Sequence, residues 1–239
     1  MAIAASFIET TLYTLAGHDE RCLITHGDGP HIVLLAPPFF DEANKMRHFM
    51  VQTMRALATH HAISAILPDL PGTLESQRPL ADISLTDWQI ALSDVISQHG
   101  AITHIAALRA GCEAIGHIDN LPQWHLAPVN GWRQIRTLAR AQLASTRETG
   151  QAVRSLKDMT DDVLENGAHL AGYDISAKMA AALEAGVKPA SAHRVQLMGD
   201  DKPADSRING TSLWLRVEPG HDENMAQAMA KNIAQWIAS

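Results

Sequence analysis

The chain has 239 residues, 46% hydrophobic and 19% charged, with a formal net charge of −7. That is enough apolar material for one sizeable core, and it excludes a disordered chain. The negative charge argues against nucleic acid or an anionic membrane as the main partner, and no apolar run reaches the ~18 residues of a membrane span.

Cys22 and Cys112 form neither a disulfide framework nor part of a zinc set, so neither a metal nor a cofactor is expected. The first residues lack a basic stretch followed by an apolar core, so the expected location is cytoplasmic. The 13 histidines scatter along the chain and suggest no cluster.

Over residues 7–24 apolar residues alternate loosely, which predicts an antiparallel strand pair around a turn at Gly17-His18-Asp19. Residues 31–36 (HIVLLA) are a nearly continuous apolar run, the mark of a strand buried on both faces, and Pro37-Pro38 ends it. Helical spacing follows over 42–60, through Met46, Phe49, Met50, Met54 and Leu57. The next strand is 63–67. Ser84 offers an N-cap with Asp87 three residues on, so a helix runs over 84–98. A third buried strand spans 102–107, a helix starts near Ala110, and a fourth strand spans 124–127. Strands five and six are expected at 195–198 and 212–217, before a terminal helix over 223–237.

Buried strands alternating with helices define an α/β fold: a mostly parallel central sheet with helices on both faces. Residues 129–186 break the alternation. They read as helical and charge-rich, with Arg133, Arg136 and Arg140 on one helix face. About 58 residues without a strand is too long for an ordinary connection. A small helical cap insertion over the ligand edge of the sheet is therefore expected, with 1–128 and 187–239 forming the core.

In such a sheet, chemistry sits at the carboxyl ends of the strands. Ala107-Leu108-Arg109-Ala110-Gly111 carries a strand into a helix, with small residues first and last of five. That is the spacing of a nucleophile elbow, which exposes its middle side chain. The middle residue here is Arg109, which stays protonated and cannot attack a carbonyl. No Gly-x-Ser-x-Gly occurs in the chain. His221 lies in a Pro-Gly-His turn near the end, and Asp200 and Asp201 follow the preceding strand. Elbow, acid, then histidine is the order of the α/β-hydrolase triad. Which aspartate would face His221 stays open. The loop after the first buried strand would donate one oxyanion-hole N–H, from Phe39 or Phe40, since Pro37 and Pro38 have none.

The segment from Pro37-Pro38-Phe39-Phe40-Asp41-Glu42 to Asn44 and Arg47 resembles the oxyanion-loop motif of the exosortase A system-associated hydrolases, type 2, within the α/β-hydrolase superfamily. Pro68-Asp69-Leu70-Pro71-Gly72 is similar to that group's next strand end. Leu108-Arg109-Ala110-Gly111 is similar to its elbow, which carries Arg in place of Ser. Pro128-Val129-Asn130-Gly131 and the stretch around Tyr173 resemble its insertion. The likeness runs over about 30–185, and the C-terminal third departs from it. It implies an α/β-hydrolase fold, hydrolase chemistry on ester or thioester bonds, and a link to the system that sorts PEP-CTERM proteins. It implies no substrate.

A cation at a helix N-terminus needs an acidic partner or a bound anion. Two arrangements follow. Arg109 and Glu42 form a structural ion pair in an accessory protein. Alternatively, a carboxylate, phosphate or acyl-thioester ligand bridges Arg109 and the oxyanion amides, with little or no serine-type hydrolysis. An active esterase or thioesterase with another nucleophile is the third reading, and Cys112 is its one nearby candidate. Asn44, Arg47, Ala110 and Tyr173 are the remaining expected pocket residues. The expected partners are a small anionic or acyl ligand and, at most, a second copy of the chain in a homodimer.

Overall fold

The computed structural model describes residues 7–148, 154–187 and 191–239. Eight strands form one sheet in the order β1-β2-β4-β3-β5-β6-β9-β10. β1 (Ile8–Leu15) and β2 (His18–Thr25) pair antiparallel, and their two-residue loop is Ala16-Gly17. Both loop residues have positive φ, 51° and 81°, the twist a tight hairpin needs. The turn thus comes one residue earlier than the sequence suggested, and His18 and Asp19 belong to β2.

β2 runs antiparallel to β4 (Ser64–Pro68). From β4 onward every neighbour is parallel: β3 (Ile32–Ala36), β5 (His104–Leu108), β6 (Gln123–Leu126), β9 (His193–Leu197) and β10 (Ser206–Ile208). β3 lies between β4 and β5, so the chain leaves it on one side and later returns on the other. The carboxyl ends of β3 and β5 are therefore a topological switch point, where an open sheet leaves a crevice.

The sheet is buried on both faces because its central strands are apolar at successive positions. Val33 and Leu35 pack under α1 (Phe40–His61) and α7 (Glu223–Ile237), with Met46, Met50, Met229 and Ile233. Leu34 and Ala36 face the other way, toward Trp88 and Leu92 of α2 (Leu85–Gln98). The Asp87 carboxylate accepts from the Ser84 N–H at 2.8 Å and closes the expected capping box. α3 (Gly111–Ala114) is a single turn.

Between β6 and β9 stand α4 (Trp132–Glu148), α5 (Leu156–Asn166) and α6 (Ala177–Ala185). A short antiparallel hairpin, β7 (Ala168–Leu170) and β8 (Tyr173–Ile175), lies between α5 and α6. The all-helical expectation missed that hairpin, whose strands of three residues are too short to show a period. The sixth strand is also corrected. Residues 212–217 contain a 3-10 turn at Leu213–Leu215, and the edge strand is Ser206–Ile208. Burial in that turn is confined to Leu213 and Trp214, which insert into the α1–α7 side of the core.

Candidate functional site at the β3 and β5 strand ends

β5 hands the chain to α3 through Arg109, which holds φ at 57°. A non-glycine residue there is strained, and such strain marks sites where the surroundings fix the backbone. Gly111 makes the turn possible. A Cβ at that position would stand 2.2 Å from the Pro37 carbonyl oxygen, so the helix lies directly against the β3 loop. Gly111 therefore serves the close packing of this turn against the β3 loop.

Arg109 is only 7% exposed, and each nitrogen of its guanidinium has a hydrogen-bond partner. Nε and Nη2 donate to the two Glu42 carboxylate oxygens at 3.0 and 3.1 Å, a bidentate pair. Nη1 donates to the Ala127 carbonyl at 2.9 Å. Cζ lies 4.4 Å from the centre of the Trp214 ring, a cation–π contact. Glu42 comes from the first turn of α1, where a carboxylate also suits the helix dipole.

A cleft of about 290 Å³ opens beside this pair, at the lower end of the range for ligand pockets. Glu42, Arg109 and Trp214 line it, together with Phe40 and with Arg133 and Arg140 of α4. Phe40 holds φ at 51° and is buried; its ring packs between Trp88 and Tyr173. Phe39 is fully buried against Trp88. Ala110 is buried behind the elbow.

The other expected residues divide. Asp200 lines the cleft and accepts from the Lys202 backbone N–H at 3.0 Å. Asp201 is exposed and lines an adjoining depression. His221 is exposed, and its ring stands 5.2 Å from that of His48 on α1. It does not line the cleft, and neither aspartate hydrogen-bonds it among the described residues. Among the described residues, then, no hydrogen-bonded acid–histidine relay faces the elbow. The physical reason is the corrected edge strand: twelve residues separate Ile208 from His221, and Trp214 in that stretch covers Arg109.

Asn44 and Arg47 do not share the cleft either. Asn44 Nδ2 donates to the Tyr173 hydroxyl at 2.9 Å, which ties α1 to the β7–β8 hairpin. Arg47 turns to the buried Asp69, with Nη2 and Oδ1 2.7 Å apart. Cys112 is buried, and burial pushes its thiol well above the ordinary range, so it is no nucleophile.

Sequence reasoning gave no role to Ala127, Trp214 or Glu113. Ala127 acts through its backbone carbonyl, which no side-chain pattern reveals. Glu113 lies on α3, 5% exposed, and fastens the segment between β6 and β9 at both ends. Its carboxylate accepts from the Gly131 N–H at 3.0 Å and from Asn130 Nδ2 at 3.2 Å, and also from the Val187 backbone.

Burial raises Glu113 to about 7. A carboxyl raised on folding favours the folded state while protonated, and that stability is lost as pH climbs from about 4 through 7. Thermal unfolding of Glu113→Gln should accordingly fall less between pH 5 and pH 8 than that of the parent chain, by about 4–8 °C in Tm. Equal pH slopes in the two proteins would refute this role for Glu113.

These features define an α/β-hydrolase fold, and solved structures agree. Est1E from Butyrivibrio proteoclasticus, with ferulic acid bound, aligns at TM-score 0.60 and 10% identity, over 95% of this chain and 98% of that one. Alpha/beta hydrolase domain-containing protein 10 from mouse aligns at TM-score 0.58 and 12% identity, over 96% and 98%. Cfl2 from Burkholderia cenocepacia aligns at TM-score 0.60 and 15% identity, over 96% and 95%. At these identities the likeness shows the fold. No family model matches the sequence, and the search of curated proteins finds no match. No helix among the described residues is long and apolar enough to cross a membrane.

Proposed function

We propose that this is an α/β-hydrolase-fold protein that binds a small anionic ligand in the cleft and has little or no serine-type hydrolase activity. The carrying observation is the Arg109 guanidinium, clamped on Glu42 at the position where the fold would present its nucleophile. An arginine so held can neither attack nor accept a proton. The ligand half of the proposal rests on the cleft itself, which stays open beside the pair and is rich in cations. Glu42 already satisfies Arg109, so the ligand is held by other residues and not by a bridge from Arg109 to the loop amides.

A second reading is favoured by the completeness of the pair. Arg109 and Glu42 then act as a structural plug in an accessory protein. The exosortase association belongs to this proposal and rests on the motif resemblance alone; the cytoplasmic location is likewise proposed.

Turnover of p-nitrophenyl butyrate and of a butyryl thioester by the purified chain tests the catalytic half. The expected rate equals that of buffer. Turnover above buffer that disappears in His221→Ala would overturn the proposal and restore a hydrolase.

A further inference from the structure

The charge of the cleft does not come from the elbow. Its wall carries five cations, Lys45, Arg109, Arg133, Arg140 and Lys202, against three carboxylates, Asp41, Glu42 and Asp200. Each carboxylate already holds a cation. Asp41 pairs with Lys45 at 2.6 Å, Glu42 with Arg109, and Asp200 meets Lys202 at 3.5 Å. Five minus three leaves Arg133 and Arg140, which have no anionic partner among the described residues.

These two arginines stand seven positions apart on α4, two helical turns, and so share one side of the helix. Both are exposed, which leaves their long side chains free to swing over one group. Arg136, between them in sequence, lines only an outer depression and not the cleft. Phe40, Val129 and Leu138 give the same cleft an apolar wall.

Resting on the anion-binding reading above, we infer that the ligand is a small phosphate monoester with an apolar body. Its head is held by Arg133 and Arg140, and its body lies against Phe40, Val129 and Leu138. The charge balance selects the head. Two uncompensated cations match a phosphate monoester, which carries nearly two negative charges at pH 7, better than a carboxylate with one. The apolar wall selects a substituted phosphate over the free ion. Arg109 stays on Glu42 throughout, so the segment between β6 and β9 supplies the recognition that the elbow has given up.

Isothermal titration of the full chain with hexyl phosphate, inorganic phosphate, hexanoate and hexanol tests this. Hexyl phosphate should bind at least about tenfold more tightly than each of the others. Arg133→Gln and Arg140→Gln should each weaken it about tenfold, the worth of one charged hydrogen bond. Arg136→Gln, with the same change in net charge, should leave it unaltered. All three positions are exposed, and an unchanged Tm without ligand confirms that each variant is folded. Hexyl phosphate binding that survives the double Arg133→Gln, Arg140→Gln variant would overturn the inference and leave the anion-binding reading standing. So would equal affinity for inorganic phosphate or hexanoate. Failure of all three anions to bind would overturn both.

Discussion

Replacing Arg47 by methionine is expected to lower the unfolding free energy by about 3–5 kcal/mol, more at pH 8 than at pH 5. Asp69 is 0% exposed, and Arg47 is the cation beside it, with Nη2 and Oδ1 2.7 Å apart. Neither of its carboxylate oxygens nor the Arg47 Nη1 has a hydrogen-bond partner among the described residues, so the ion pair is held with little support. Even with Arg47 present, burial raises Asp69 to about 6, against the pull of the guanidinium.

Without Arg47 the buried carboxylate keeps only the weaker pull of Arg21, and its pKa rises further. A carboxyl raised on folding stabilises the fold in its protonated form, and the loss sets in as pH climbs through the folded value. Urea unfolding at pH 5 and pH 8 measures both quantities. Equal losses at the two pH values, or a loss below about 1 kcal/mol, would contradict the buried-pair account.

The same pair shows how far the sequence could be read. Its place one turn beyond Asn44, on a helix that begins at the site, predicts Arg47 in the cleft. Helical spacing fixes a face only roughly, and the pull of a buried aspartate on another strand end cannot be seen along the chain. Tyr13 adds to that hidden environment: its hydroxyl donates to the Asp69 carbonyl at 2.6 Å across 56 positions.

Features set by local rules were legible. The continuous apolar run of β3, the Ser84–Asp87 box and the small residues around Arg109 each follow from neighbours in sequence, and each lies where expected. The Arg109–Glu42 contact is one of the two arrangements the sequence offers, since a cation at that position needs an acidic partner or a bound anion and the adjoining loop supplies the former.

The C-terminal part was less legible. Residues 212–217 have the apolar pattern of a buried strand. Their apolar side chains instead divide between a buried pair, Leu213 and Trp214, and exposed Leu215 and Val217. Periodicity cannot separate a short strand from a 3-10 turn of this length. His221 accordingly comes thirteen positions after the edge strand, and it does not line the cleft.

Restoring serine at the elbow should therefore not restore catalysis, and this is the second large effect expected. In Arg109→Ser the hydroxyl would sit on the strained turn, yet His221 remains against His48 and supplies no base. A serine without its histidine loses most of the triad's rate, by factors on the order of 10⁶ in a well-studied protease. Ester turnover by Arg109→Ser should consequently stay within about tenfold of buffer. The vacated Glu42 carboxylate would also repel the developing oxyanion, which adds to the same outcome. A gain of a thousandfold over buffer would show that the acid–base partner is in place after all.

The Arg109–Glu42 pair closes the elbow of this fold, and on the reading proposed here no activated nucleophile is presented there. Intact-mass spectrometry after incubation with a fluorophosphonate tests it most directly, because the reagent forms a covalent adduct with an activated serine hydrolase nucleophile. The unmodified mass is predicted for both the parent chain and Arg109→Ser. One phosphonyl adduct per parent chain, lost in His221→Ala, would contradict the account.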